Sequence, residues 1–363
     1  MTTVDQTRER AVAESLLGLS YETWAFGESI AFEALLEASH ALGDRRYAAF
    51  AHGWMRSWAT RAQPYRRLDC TAPGLAMVHA ADLFDDGQLR TAAAQLADYL
   101  LTRPRIGGVF STWDHAPLRQ PWGPKQLGPR EAVLLADPPA GVFVDCLHFD
   151  PPFFTALGVA TGVERYWREG LAQAEGYISL LQTDAGLFDH FVLDGESGTF
   201  GPGWGRGQGW ALLGLLDVVA AAERLPLDSE TDDAIARVCD AAERLIRAMR
   251  GWQRADGHWP AVVTEPSAPT ESSTAAFMAV GMRRALELGV IDAQERAGVA
   301  ASAESARRAV MAALDPDGTL LDVSAAVWAS TEPSHYVHAP RGFLVPWGQG
   351  PALLALKETA HAL

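Results

Sequence analysis

The stretch GVFVDCLHFDPPFF, residues 141–154, carries two aspartates in different settings. Asp145 is flanked by Val142, Phe143, Val144, Cys146, Leu147 and Phe149. Apolar surroundings favour the protonated carboxyl that a general acid needs near neutrality. The competing reading makes Asp145 a second cap or turn residue. Asp150, directly before Pro151 and Pro152, reads as the N-cap of the next helix. Asp69, in RRLDCTAPG, also precedes a Pro-Gly helix entry, so it either caps that helix or faces another carboxylate from a separate hairpin.

A second cluster lies in residues 186–219, where a Gly-rich loop delivers His190, Arg206, Gln208 and Trp210 to a helix mouth. The planar, permanently charged fork of Arg206 suits a carboxylate, and a following helix N-terminus adds a favourable dipole. The alternative is an arginine that ties loop carbonyls together. GRGQG is no phosphate loop, since neither Lys-Ser/Thr nor a preceding strand accompanies it. His335 and His338 stand alone as a weakly metal-like pair without HExxH, so no metal and no cofactor is expected. Without a GxSxG elbow, or a His-Asn signature around Cys146, a nucleophilic hydrolase is unsupported. Trp113, Trp122, Trp204, Trp252, Trp259, Trp328 and Trp347 fall between the helical stripes, where flat rings either meet sugar faces or fill gaps. Trp54, Trp58 and Trp167 read as core.

Helices must position these groups. In GQLRTAAAQLADYLLTR, residues 87–103, Leu89, Ala92, Ala93, Leu96, Tyr99 and Leu100 recur at spacings of three and four. Similar stripes occupy roughly 27–42, 45–60, 73–84, 164–182, 207–223, 230–250, 272–288, 294–313 and 349–361. Strand-like alternation is scarce. Asp44 and Ser229 mark helix entries. Segments 104–144, 184–206, 252–270 and 314–347 are long connections rich in Gly, Pro, Trp and His, the kind that carries function. Helix, short turn, helix and long loop in alternation suit hairpins stacked around an axis, with the long loops gathered at one end. The expectation is an all-α toroid forming one domain over 1–363, with an open solenoid as its rival.

Composition narrows the function classes. With 48% hydrophobic and 21% charged residues the chain is globular rather than disordered. A net charge of −15 without a Lys/Arg block leaves no electrostatic source for nucleic-acid binding. Three cysteines without metal-type spacing argue against a disulfide framework, and no apolar run reaches membrane-spanning length. A cytoplasmic protein without membrane or nucleic-acid partners is expected, and no oligomeric state is read from the sequence.

Taken in order, YETWAFGESIAFEALLEAS, LDCTAPGLAMVHAADLF, VDCLHFDPPFFTALG, GLFDHF, GRGQGWALLGLL, WQRADGHWPAVV and PRGFLVPWGQGPALLAL resemble the unsaturated glucuronyl and rhamnogalacturonyl hydrolases of glycoside hydrolase families 88 and 105. The resemblance implies an (α/α)6 barrel and an oligosaccharide substrate ending in a 4,5-unsaturated uronic acid, as polysaccharide lyases produce. By motif it implies Asp145 as general acid and base, Asp69 as the second carboxylate, and His190 as the active-site histidine. It further implies Arg206 and Trp210 as substrate contacts, with Tyr21 and Trp24 lining the pocket. Two departures, an insertion-like stretch at 116–140 and Val144 where a bulkier residue is common, fall near the expected substrate mouth. A sugar epimerase shuttling protons through His190 and His258 is the rival enzyme, and a non-catalytic carbohydrate binder the rival class.

Overall fold

The computed structural model describes residues 3–21, 26–61, 64–65, 71–225 and 228–357. Six helices form an inner ring: α2 (Glu28–Ala41), α4 (Gly74–Leu83), α7 (Asp150–Thr161), α9 (Gly205–Ala222), α11 (Ser272–Glu287) and α14 (Pro346–Ala355). Each packs against the next, and α14 returns to α2, so the ring closes. Six more helices lie outside: α1 (Thr3–Leu17), α3 (Arg45–Ala59), α5 (Gly87–Leu100), α8 (Glu164–Leu181), α10 (Ser229–Trp252) and α12 (Arg296–Ala313). α1 backs α14, α3 backs α2, α5 backs α4, α8 backs α7, α10 backs α9 and α12 backs α11. This is the (α/α)6 barrel; an open solenoid would lack the α14–α2 contact.

The two layers follow from side-chain pattern. α10 buries Thr231, Ala234, Val238, Ala241, Ala242, Leu245, Ile246 and Met249, one stripe at helical spacing, and leaves its charged face to water. α9, GRGQGWALLGLLDVVAAA, is buried on nearly all sides, as an inner helix must be. Gly214 of α9 lies where a Cβ would approach the Leu147 carbonyl oxygen to 2.2 Å. Only glycine admits that contact, which sets α9 against the short turn 144–147.

Entries differ in detail from the sequence reading. Asp44 caps α3 by accepting from the Arg46 N–H, as expected. Asp228, rather than Ser229, caps α10, accepting from the Thr231 N–H. Asp150 is not a cap: Phe149 holds that position, and Asp150 sits inside the first turn of α7, buried. Trp58 and Trp167 are buried, whereas Trp54 is half out of the core.

Segment 104–144, read as a loop, contains a two-residue ribbon, β1 (Arg105–Ile106) against β2 (Val109–Phe110), and helix α6 (Pro129–Ala136). A second antiparallel ribbon joins β3 (Gly141–Phe143) to β4 (Phe191–Leu193), with Phe143 opposite Phe191. A short helix, α13 (Ser334–Val337), lies in the last long connection.

Candidate active site

The β3–β4 ribbon brings Asp145 and His190 together from 45 residues apart. Directly after β3 the chain turns through a single 3-10 turn, Val144–Leu147, that carries Asp145. The Val144 N–H donates to the His190 carbonyl at 2.8 Å, extending the ribbon by one bond. His190 Nε2 then lies 3.3 Å from Asp145 Oδ2. The other ring nitrogen, Nδ1, is 2.7 Å from the Tyr336 hydroxyl. Gln208, fully buried in the first turn of α9, holds the approach to β4: its amide donates to the Phe188 and Trp204 carbonyls and its oxygen accepts from the Phe188 N–H.

Asp145 and His190 line one cavity. Phe26, Trp113, Phe143, Phe149, Trp204 and Trp328 form its aromatic walls. Apolar walls around a few convergent polar groups describe a small-molecule site, and flat rings suit sugar faces. The Asp145 side chain is only 13% exposed, with Oδ2 the oxygen nearest His190. Of the loop tryptophans, Trp113, Trp204 and Trp328 line the cavity; Trp259 is wholly buried and Trp347 stacks on Phe26 behind it.

The 116–140 stretch is fastened to the last long connection. Leu118 bridges to Ala329, the Arg119 N–H donates to the Ala329 carbonyl, and the Trp122 ring stacks on His335 with centroids 4.4 Å apart. Pro117 and Ala329 reach the cavity. His335 is no free ligand: Nδ1 accepts from the Trp122 N–H, leaving Nε2 to donate to the Val327 carbonyl at 2.8 Å. Burial holds its ring at a pKa of about 4, keeping it neutral.

Other expected site residues lie elsewhere. Arg206 is fully buried, with NH1 on Glu271 and the Ser324 hydroxyl and NH2 on the Ala325 carbonyl. It does not line the cavity; the structure realises the loop-tying alternative. Trp210 is also wholly buried, packed among Phe26, His148, Phe149 and Phe277, one layer behind the wall. Tyr21 is a core residue: its hydroxyl donates to the Leu16 carbonyl and its ring packs on Phe32 and Phe50. Asp69 and Trp24 lie outside the described residues; Thr71, two positions beyond Asp69, lines the cavity. His258 does not line the cavity with His190, which leaves the epimerase reading without its second proton carrier.

Sequence reasoning missed Tyr336, although it sits inside SHYVHAPRG between the two histidines considered for metal. It also missed a buried cluster, Glu33, His148 and Asp217, whose candidate ligand atoms lie within 4.8 Å of one another. Burial opposes a charge on His148, but the Glu33 and Asp217 carboxylates overcome it and raise its pKa. Arg284 bonds Asp217 at 2.7 Å and Glu37 at 2.6 Å, balancing the acids with fixed positive charge. None of these residues lines the cavity.

A closed helical barrel with an acid–imidazole pair in an aromatic cavity at its loop end defines a carbohydrate-processing enzyme of the six-hairpin class. The sequence model of Glycosyl Hydrolase Family 88 matches residues 3–363, so the chain belongs to that family and is a glycoside hydrolase. The unsaturated rhamnogalacturonyl hydrolase YesR of Bacillus subtilis is 22% identical over 361 residues, covering 98% of this chain and 95% of that one. A possible family 105 member from Salmonella enterica superposes with a TM-score of 0.80 at 18% identity, covering 97% of this chain and 92% of the other. Unsaturated glucuronyl hydrolase from Bacillus sp. GL1 gives 0.70 at 18% identity, with 97% and 94% covered.

Proposed function

We propose that the protein hydrolyses oligosaccharides bearing a 4,5-unsaturated uronic acid at the non-reducing end, with Asp145 as the acid and base. The observation that carries the reading is the Asp145–His190 pair in an aromatic cavity. Family membership and the names of its relatives support the substrate class.

The chemistry follows from the substrate's enol ether. Asp145 gives its proton to carbon 4, and the positive charge left behind is shared by carbon 5 and the ring oxygen. Water adds at carbon 5 while the carboxylate takes its proton. The resulting hemiketal opens: carbon 5 becomes a ketone, the ring oxygen is left on carbon 1, and collapse there expels the remaining sugar as an alcohol. The glycosidic bond breaks without direct attack on carbon 1, and no covalent enzyme intermediate is required. His190 Nε2–H, facing Oδ2, steadies the carboxylate once its proton has gone. Asp69 is the second carboxylate of this reading, placed there by motif.

The protein's place in this scheme is the cytoplasm, a reading supported by the free thiols of Cys146 and Cys239. Among the described residues no helix is long and apolar enough to cross a membrane. The test is incubation with a panel of lyase-generated unsaturated disaccharides, following loss of their conjugated ultraviolet absorbance. Turnover that persists in chelator and drops by about a hundredfold or more in a folded Asp145→Asn variant is expected of a positioned acid. A folded variant with most of its activity moves the acid elsewhere, and loss of turnover in chelator, restored by a divalent ion, overturns the metal-free route.

A further inference from the structure

Tyr336 is buried in α13. Its hydroxyl lies 2.7 Å from His190 Nδ1. With the other ring nitrogen turned to a carboxylate, which accepts, Nδ1 is the nitrogen left to accept the phenol's proton. Burial raises the Tyr336 pKa, so that proton is retained at any working pH. An imidazole that accepts at Nδ1 must carry its proton on Nε2. That nitrogen faces Asp145 Oδ2.

The contact is built by the surrounding backbone. Gly201, at a φ of +68°, passes so close that a Cβ would lie 2.5 Å from the Tyr336 hydroxyl and 2.7 Å from His190 Cβ. A side chain at 201 would part the pair. His335, the residue before Tyr336, is itself fixed between the Trp122 N–H and the Val327 carbonyl.

We propose that Tyr336 is a positioning residue: it fixes His190 as the Nε2–H tautomer, so that the imidazole donates to Asp145 Oδ2 and leaves Oδ1 as the oxygen that exchanges a proton with the substrate. The inference rests on the role given to Asp145 and His190 above. With the tautomer reversed, Nε2 would present a lone pair to the carboxylate, and the anion formed after protonation of carbon 4 would lose its partner. Tyr336 does not line the cavity; its effect travels through the His190 ring.

The test combines kinetics with histidine ring nuclear magnetic resonance, using Tyr336→Phe, His190→Gln and the double variant. In the unaltered protein the ring signal missing from His190→Gln reports the Nε2–H tautomer; an Nδ1–H tautomer there overturns the proposal without any tyrosine variant. Tyr336→Phe lowers kcat on an unsaturated disaccharide on the order of tenfold, what one hydrogen bond to an oriented group contributes. Its KM stays within about twofold, because ground-state binding does not use the phenol. The ring signal shifts toward mixed tautomers. Adding Tyr336→Phe to His190→Gln costs no further turnover. An unchanged kcat in Tyr336→Phe, or losses that multiply in the double variant, overturns the inference. Wild-type turnover in His190→Gln instead overturns the role of His190 itself, a distinct result, since the tautomer signal reports on Tyr336 regardless.

Discussion

Arg206 is a guanidinium with no water to turn to, lying between the Trp204 and Trp347 rings with Glu271 and Ser324 at its tip. Glu271 in turn caps α11, accepting from the Thr274 N–H. Arg206→Met therefore strands a buried carboxylate. Breaking a buried pair in this way costs about 3 kcal/mol or more, read as a lowered denaturant midpoint. Turnover of charged and neutral substrates should fall alike in whatever fraction stays folded; selective loss on uronates would restore a direct contact. Asp150 makes a pH prediction. Burial, aided by Glu169 and opposed by Arg103, lifts its carboxyl to about 8, against about 3.9 in the unfolded chain. From about pH 4 to about 8 the folded state keeps a proton that the unfolded state has released, so stability falls as pH rises through that window. Asp150→Asn should flatten this slope between pH 6 and 8 in urea titrations; parallel slopes for both proteins would refute the assignment.

At the scale of elements, the site depends on a ribbon three residues long on each side. Gly214→Ala in α9 drives a methyl into the Leu147 carbonyl and displaces the turn bearing Asp145, so kcat should fall on the order of tenfold or more while far-ultraviolet helix content holds. Normal turnover in this variant would mean that the turn has slack. Most of the ring helices were legible because a stripe three and four residues apart repeats over many turns, as along 87–103, while α7 showed itself only by its Pro-Pro entry. The ribbon was not, since three residues are too few for alternation to register. α1 went unread because its buried Val12, Ala13 and Leu16 sit among charges and make too short a stripe. The place of Asp145 and His190 at one cavity was legible from their unusual flanks and motif order. Arg206 and Trp210 were misplaced because a glycine-rich helix entry looks the same in sequence whether its side chains turn toward a cavity or into the core. Tyr336 depends on a 146-residue separation that no local pattern reports.

The whole molecule is held by closure. α14 packs between α1 and α2, and Gln349 clasps both sides of the seam: its amide donates to Ser15 Oγ and the Gly318 carbonyl, and its oxygen accepts from the Leu320 N–H. Inside the ring, Arg284 of α11 ties Asp217 of α9 to Glu37 of α2. We propose that residues 1–363 act as one cooperative unit, since half a ring leaves inner faces unpartnered. Limited proteolysis should yield no independently folded half, and unfolding by circular dichroism and by tryptophan fluorescence should coincide; separate transitions would divide the chain.

The seam bears on how the protein is made. On the ribosome α2 emerges more than three hundred residues before α14, its partner in the finished ring. Until residue 355 clears the exit tunnel, an apolar face of α2 around Ile30 and Ala31 waits uncovered. At ordinary elongation speeds that wait lasts on the order of tens of seconds, long enough for aggregation to compete. α14 thus closes the ring late: a chain stalled before it leaves the inner face of α2 open to chaperones and proteases, while one that carries it covers that face.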